Sequence, residues 1–281
     1  MDASFDLYGD ATAPASPVVL SVPHAGRDYP SDILPLIRTP PSSLRSLEDR
    51  YVDLVVLDAR GPRTTLVQRA PRAWIDLNRG EDERDPLVDE GADPTRQPTR
   101  SAKLRSGLGL VPRRVPGAGD IWRRKLTDAD VRGRIERAHR PYHRALSAAL
   151  MAARARFGVA VLLDVHSMPP LGPGGARLVL GDLFGRAAAA RFVARAEAVA
   201  LSAGLGVALN SPYAGGHILD RHAAPMRDVH GVQLELDRAL YLDMRLDAPG
   251  AGLAAAARLV ASMVAALEDE ALSGALPLAA E

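Results

Sequence analysis

A chain of 281 residues is long enough to bury a sizeable core, and its 35 Lys and Arg against 34 Asp and Glu leave a net charge of +1. That balance supplies no overall field to draw nucleic acid or an anionic membrane, so the expected partner is a small molecule. With no cysteine, a disulfide frame and a thiolate zinc site are both excluded, and any metal must take His and carboxylate ligands. The opening MDASFDLYGD lacks a basic, apolar leader, and no run reaches the roughly 18 apolar residues that would cross a bilayer. The expectation is a cytoplasmic protein with a single domain over residues 1–281.

The first apolar run, Pro17 to Pro23 (PVVLSVP), reads as a strand that ends at His24, followed by Ala25 and Gly26. Pro30, Pro35, Pro40 and Pro41 then keep Arg27 to Pro41 from settling into a regular element. From Leu44 the positions Leu47, Tyr51, and Leu54 or Val55 follow helical spacing to Gly61, with Ser42 or Ser43 as cap and Asp49 and Asp53 on one face. Thr64 to Arg69 and Ala73 to Leu77 read as strands, the second running into Asn78 and Arg79. Residues 80–120 carry Gly, Pro, Asp and Arg without sustained periodicity, and so read as a long excursion, a lid over a site. A strong helix follows from Thr127, whose T-x-x-D pattern with Asp130 is a capping signature, to Phe157 and Gly158, with a kink expected at Pro141.

The pattern centres on Val159 to Pro169, VAVLLDVHSMP. Such a run reads as a strand buried on both faces, which puts Asp164 and His166 at the rim of a parallel sheet, where α/β proteins place their chemistry. Strand and helix then alternate: Arg177 to Leu180, a helix over Phe184 to Ala203 ended by Gly204, strands Val207 to Leu209 and Val232 to Leu236, and an Ala-rich helix Leu253 to Glu268 before a tail over 270–281. The fold class expected is α/β, a mixed, mostly parallel sheet flanked by helices.

His24 and His166 at two strand ends, with one carboxylate, would give a three-ligand zinc site whose fourth position is left for water. Asp164 shares a strand face with His166 and is placed to orient it, whereas His24 reads equally well as the cap of a turn. His139 and His143 form an i, i+4 pair, but Arg140, Pro141 and Tyr142 stand where helical zinc motifs carry a general base, so a structural role is preferred. His217, His222 and His230 fall in what reads as a polar loop. Asp76, Asn78 and Arg79 stand in DLNR, with Arg72 upstream, where a planar guanidinium beside an amide suits a bidentate clamp on a carboxylate, although composition alone favours a surface loop with a salt bridge. Glu235 interrupts an apolar strand, where an acid is costly without a partner, and is a candidate general base or half of an ion pair.

The motifs VPHAG, DLNR, GLGLVPR (Gly107 to Arg113), PYHRAL, LLDVHSMP, NSPYAGGHI and VQLELDRALY occur in this order from about Val18 to Leu242. In that order and content the chain resembles the N-formylglutamate amidohydrolase family, itself similar to the zinc carboxypeptidases and aspartoacylases. The resemblance implies a zinc-carboxypeptidase-like fold, one Zn2+ per chain held by His24, His166 and an acid, and Glu235 as base. Position 27 is Arg, where those relatives carry the acid, so the third ligand falls in LEDRYVD, with Asp49 chosen and Glu48 in reserve. It further implies Arg72 at the oxyanion, Asp76, Asn78 and Arg79 on the substrate, and Tyr213 as a closing tyrosine. The implied reaction is hydrolysis of an N-acyl acidic amino acid, N-formyl-L-glutamate leading. Another N-acyl amino acid or peptide, or a non-catalytic binder, remain the alternatives.

Overall fold

The computed structural model describes residues 4–95, 102–115 and 117–273. Its strands are β1 (Phe5–Tyr8), β2 (Val18–Val22), β3 (Thr65–Gln68), β4 (Arg114–Val115), β5 (Gly119–Asp120), β6 (Ala160–Met168), β7 (Leu178–Gly181), β8 (Val207–Leu209) and β9 (Val229–Asp237). Its helices are α1 (Val52–Ala59), α2 (Ala102–Arg105), α3 (Asp128–Arg134), α4 (Arg140–Phe157), α5 (Ala190–Ser202), α6 (His217–His222) and α7 (Leu253–Ser273). Seven strands form one mixed sheet in the order β1-β3-β2-β6-β9-β7-β8, while β4 and β5 make a small antiparallel ribbon. β6 runs parallel to β2 and β9, and β7 runs parallel to β8 but antiparallel to β9. This is the α/β class expected from the sequence. No helix among the described residues is long and apolar enough to cross a membrane.

Contacts divide the chain into two compact units: Met1–Asp6, Pro23–Arg50 and Val67–Arg144 in the first, and Leu7–Val22, Tyr51–Leu66 and Ala145–Glu281 in the second. The second holds the centre of the sheet. All nine residues of β6 and all nine of β9 are buried, as the apolar run of a strand covered on both faces requires. The helices α1 and α5 pack on α7, whose Val260, Met263, Val264 and Leu267 point into the core.

The first unit has few regular elements, so side chains satisfy much of its backbone. Trp122 Nε1 donates to Pro112 O at 2.8 Å, and Arg134 Nη1 donates to Trp74 O at 2.9 Å. The described residues of the segment expected as an excursion are partly packed: Val88, Leu110, Val111 and Val115 are buried, and Arg113 pairs with Asp85 at 2.9 Å. Residues 96–101 and 116 of that segment lie outside the described residues.

Several elements depart from the sequence reading, each for a local reason. The helix expected from Leu44 to Gly61 is two pieces, a 3-10 stretch Pro41–Leu47 and then α1. Between them Asp49 N–H donates to His24 O at 2.9 Å and Tyr51 takes φ of 57°, so Asp49 and Asp53 do not share a helix face. Ala73 to Leu77 is a turn rather than a strand, because Asp76 Oδ1 accepts from Asn78 N–H at 2.8 Å, a side-chain turn that competes with a ladder. The Thr127 capping box forms as expected, and the helical run expected to continue unbroken to Pro141 contains a π-helical turn, Ile135–His139, just before it. α5 begins at Ala190, six residues late, because Leu183, Phe184 and Gly185 all take positive φ. His217 and His222 lie on α6, and His230 is buried in β9, which starts earlier than expected; none of the three is in a polar loop. α7 runs to Ser273, so the first residues of the expected tail are helical, and 274–281 lie outside the described residues.

Candidate functional site

In the first unit, the chain after β2 runs through PHAG, and the turn brings Gly26 against Ala70. A Cβ at Gly26 would stand 2.1 Å from Ala70 O, so this close approach admits only glycine. His24 is thereby fixed in a buried place, 2% exposed. Its Nε2 lies 2.7 Å from Asp76 Oδ1 and its Nδ1 3.7 Å from Asp49 Oδ2.

Asp76, expected on the substrate, is fully buried beneath these groups. It meets His24 Nε2, Arg72 Nε at 2.8 Å, the Asn78 N–H at 2.8 Å and Arg79 Nε at 4.0 Å. Burial by itself would raise its carboxyl, but the charges of Arg72, His24 and Arg79 and the His24 hydrogen bond hold it well below the usual carboxylate range. An ionised carboxylate only accepts, so His24 Nε2 must donate to it, which leaves Nδ1 as the nitrogen nearer Asp49. Glu48 is differently engaged: Tyr29 Oη donates to it at 2.6 Å and Arg50 Nη1 at 2.6 Å. Burial and that contact push the Tyr29 phenol up.

Asn78 and Arg79 are both 7% exposed. Arg79 Nε donates to Leu108 O at 2.8 Å and its Nη1 donates to Asn78 O. Beneath them, His139 Nε2 lies 2.8 Å from Arg79 O and His143 Nε2 3.0 Å from Leu77 O, with the two rings 4.3 Å apart.

In the second unit, His166 stands near the end of β6 with its Nε2 2.9 Å from Asp164 Oδ2, as the shared strand face predicts. Ser21 Oγ donates to the other oxygen of Asp164 at 2.8 Å. Ser21 carries no signal in VVLSV; it becomes visible only once β2 and β6 are paired, with Ser21 opposite Asp164. The β6–β9 register then sets Glu235 opposite His166, and Gln233 Nε2 donates to Glu235 Oε1 at 2.9 Å. Beyond them Arg238 Nε donates to Ser167 Oγ at 3.1 Å, a contact the sequence does not announce. Tyr213 is half-buried in the loop after β8.

Among the described residues there are His and Asp groups that could hold a metal ion, one including His24 and Asp49 and another including His139 and His143.

The chain is similar to known proteins over most of its length. The model of the N-formylglutamate amidohydrolase family matches residues 16–242. An N-formylglutamate deformylase from Pseudomonas aeruginosa is 30% identical over 247 residues, 81% of this chain and 82% of that protein. One from Pseudomonas putida is 29% identical over 233 residues, again 81% of this chain and 82% of that protein. The crystal structure of N-formylglutamate amidohydrolase from Ralstonia eutropha JMP134 superposes with a TM-score of 0.88 at 32% identity, covering 98% of this chain and 100% of that one. The order of motifs, the mixed sheet with His166 and Glu235 side by side, and these matches agree: the chain belongs to the N-formylglutamate amidohydrolase family.

Proposed function

We propose that this chain is a cytoplasmic, zinc-dependent amidohydrolase that converts N-formyl-L-glutamate to formate and L-glutamate. The observation that carries the reading is the β6–β9 register, which stands an imidazole with a carboxylate behind it next to a buried glutamate.

In this reading one zinc per chain is held by His24, Asp49 and His166. The donor set supports it: both histidines are backed by carboxylates, Asp76 and Asp164, which fix the ring orientation as they do in zinc sites. Asp49 is preferred to Glu48 because its carboxylate lies 3.7 Å from His24 Nδ1 in a group that could hold a metal ion, whereas Glu48 meets Tyr29 and Arg50. When bound, the zinc supplies Lewis-acid polarisation of the amide carbonyl and acidifies the attacking water.

The chain's own residues do the rest. Glu235 takes a proton from the water as its oxygen bonds to the formyl carbon, and delivers it to the glutamate nitrogen as the C–N bond breaks. Arg72, steadied by Asp76, donates to the developing oxyanion, a contribution of about 3 kcal/mol for one such donor. Asn78 and Arg79 bind the substrate carboxylate. Arg79 Nε and one N–H of its Nη1 are taken by backbone carbonyls, so it meets that carboxylate with its remaining N–H groups. Asp76 holds His24 and Arg72 from below, and Tyr213 closes over the substrate.

Elemental analysis with a formate-release assay tests this. The expected result is about one zinc per chain, loss of both metal and turnover in His24→Ala and His166→Ala, and a larger loss of metal in Asp49→Ala than in Glu48→Ala. A protein that binds N-formyl-L-glutamate without releasing formate would be a binding protein, and one that keeps full zinc in both histidine variants would have its metal elsewhere.

A further inference from the structure

His139 and His143 have no part in the chemistry above, yet both are fully buried and both point at the backbone of the DLNR segment. A carbonyl only accepts, so each ring must donate from Nε2, His139 to Arg79 O and His143 to Leu77 O. Arg134, on the same run of helix, donates to Trp74 O. Three side chains on one helical run thus bind three carbonyls of Trp74 to Arg79, a segment with no strand ladder to hold it.

The spacing explains the π-helical turn. His139 and His143 are four apart and share an α-helical face, but Arg134 and His139 are five apart, which in an α-helix would put them about 140° from one another. The Ile135–His139 turn, with its i→i+5 bonding, restores Arg134 to the histidines' side. It sits just before Pro141, whose missing N–H already weakens the helical ladder there. The π turn is a register device that aims all three donors at one loop.

Resting on the reading of Asn78 and Arg79 as the carboxylate clamp, we propose that His139 and His143 are its positioning residues. They fix the carbonyls on either side of Asn78, and with them the direction in which the Asn78 and Arg79 side chains leave the backbone. A clamp whose backbone drifts by a fraction of an ångström loses geometry for substrate binding before it loses anything at the reacting amide.

The test replaces each histidine by Phe, which keeps a ring but removes the donor, and by Gln, whose amide reaches about where Nε2 does. Steady-state kinetics with N-formyl-L-glutamate, zinc content, and calorimetric binding of L-glutamate are measured on each. His139→Phe and His143→Phe should each raise KM and the L-glutamate Kd about tenfold, the size of one lost hydrogen bond's discrimination, with kcat within about threefold and zinc unchanged. The Gln variants should recover most of that loss. Should a Phe variant not fold, Asn takes its place, since its shorter amide stops short of the carbonyl; Gln must then bind better than Asn. A folded Phe or Asn variant with wild-type KM and Kd overturns the proposal, as does a loss that Gln leaves unrepaired. Failure of the functional reading looks different: the wild type itself would neither turn over N-formyl-L-glutamate nor bind L-glutamate.

Discussion

Glu235 and Arg79 are equally buried, each 7% exposed, but they are held in opposite ways. Glu235 lies on a nine-residue strand whose backbone is paired on one side with β6 and on the other with β7, so a ladder of amide bonds fixes its Cα. Arg79 lies in a turn whose carbonyls are taken by Arg134, His143 and His139 from a helix some sixty residues on. A strand residue therefore tolerates a change in its own side chain without moving its neighbours. The turn instead depends on side chains far along the chain, and what those lose, it loses. In the proposed enzyme the first arrangement carries the proton and the second carries the substrate.

The sharpest way to break this comparison is Glu235→Gln. The change is nearly isosteric on a backbone fixed by its neighbours, so fold, zinc and substrate affinity should survive while kcat falls by about 10²- to 10⁴-fold, the usual worth of a general base. Wild-type kcat in a zinc-loaded Glu235→Gln protein would remove Glu235 from the chemistry. Loss of zinc or of the fold would instead show that the strand end is not as independent of this side chain as the ladder implies.

The second effect is smaller and of the other kind. Arg79→Lys keeps the charge but loses the planar guanidinium, whose Nε donates to Leu108 O. KM for N-formyl-L-glutamate should rise about tenfold with zinc and kcat little changed, since roughly 1.4 kcal/mol of binding corresponds to that factor. Unchanged KM would end the clamp role. A collapse in thermal stability in place of a KM effect would make Arg79 a tie within the turn.

The same contrast decides how much was legible in the sequence. β2, β6 and β9 announce themselves as apolar runs, and Asp164, His166 and Glu235 can be placed on faces by counting in twos, so their geometry is close to what the pattern predicts. The proposed clamp is visible as residue types, but its fold is not. Ala73 to Leu77 has a strand's composition and forms a turn because Asp76 accepts from Asn78 N–H, and because the carbonyls at 74, 77 and 79 find partners that no local window contains. The break at Glu48 to Tyr51 is hidden for the same reason: its cause is the His24 carbonyl, 25 residues upstream of Asp49. The contacts of Asp76 also need the structure, since His24, which it meets, lies 52 positions away in the chain.

The smallest effect comes from the other end of the same strand, where β9 carries a second titratable group. His230 is 3% exposed, stacks at 4.5 Å on Phe192, and accepts at Nδ1 from Ala189 N–H at 3.3 Å, at the start of α5. Burial lowers its pKa below 6.5, the Arg191 charge adds to that, and Asp228 opposes it. A base whose pKa is depressed by folding binds its proton more readily unfolded. The stability gained by burying it neutral is thus fully present above the unfolded value of about 6.5 and is lost as pH falls from there towards the folded value. Thermal melts between pH 8 and 5 should show a decline in Tm that begins near that pH. His230→Asn keeps an acceptor near the Nδ1 position but cannot titrate, so its decline should be shallower even if its Tm at pH 8 is lower. Parallel declines in the two proteins would assign the acid sensitivity to other groups, and a wild-type Tm that rises as pH falls through 6.5 would mean that β9 stabilises the charged ring, contrary to the ladder-and-burial account of this strand.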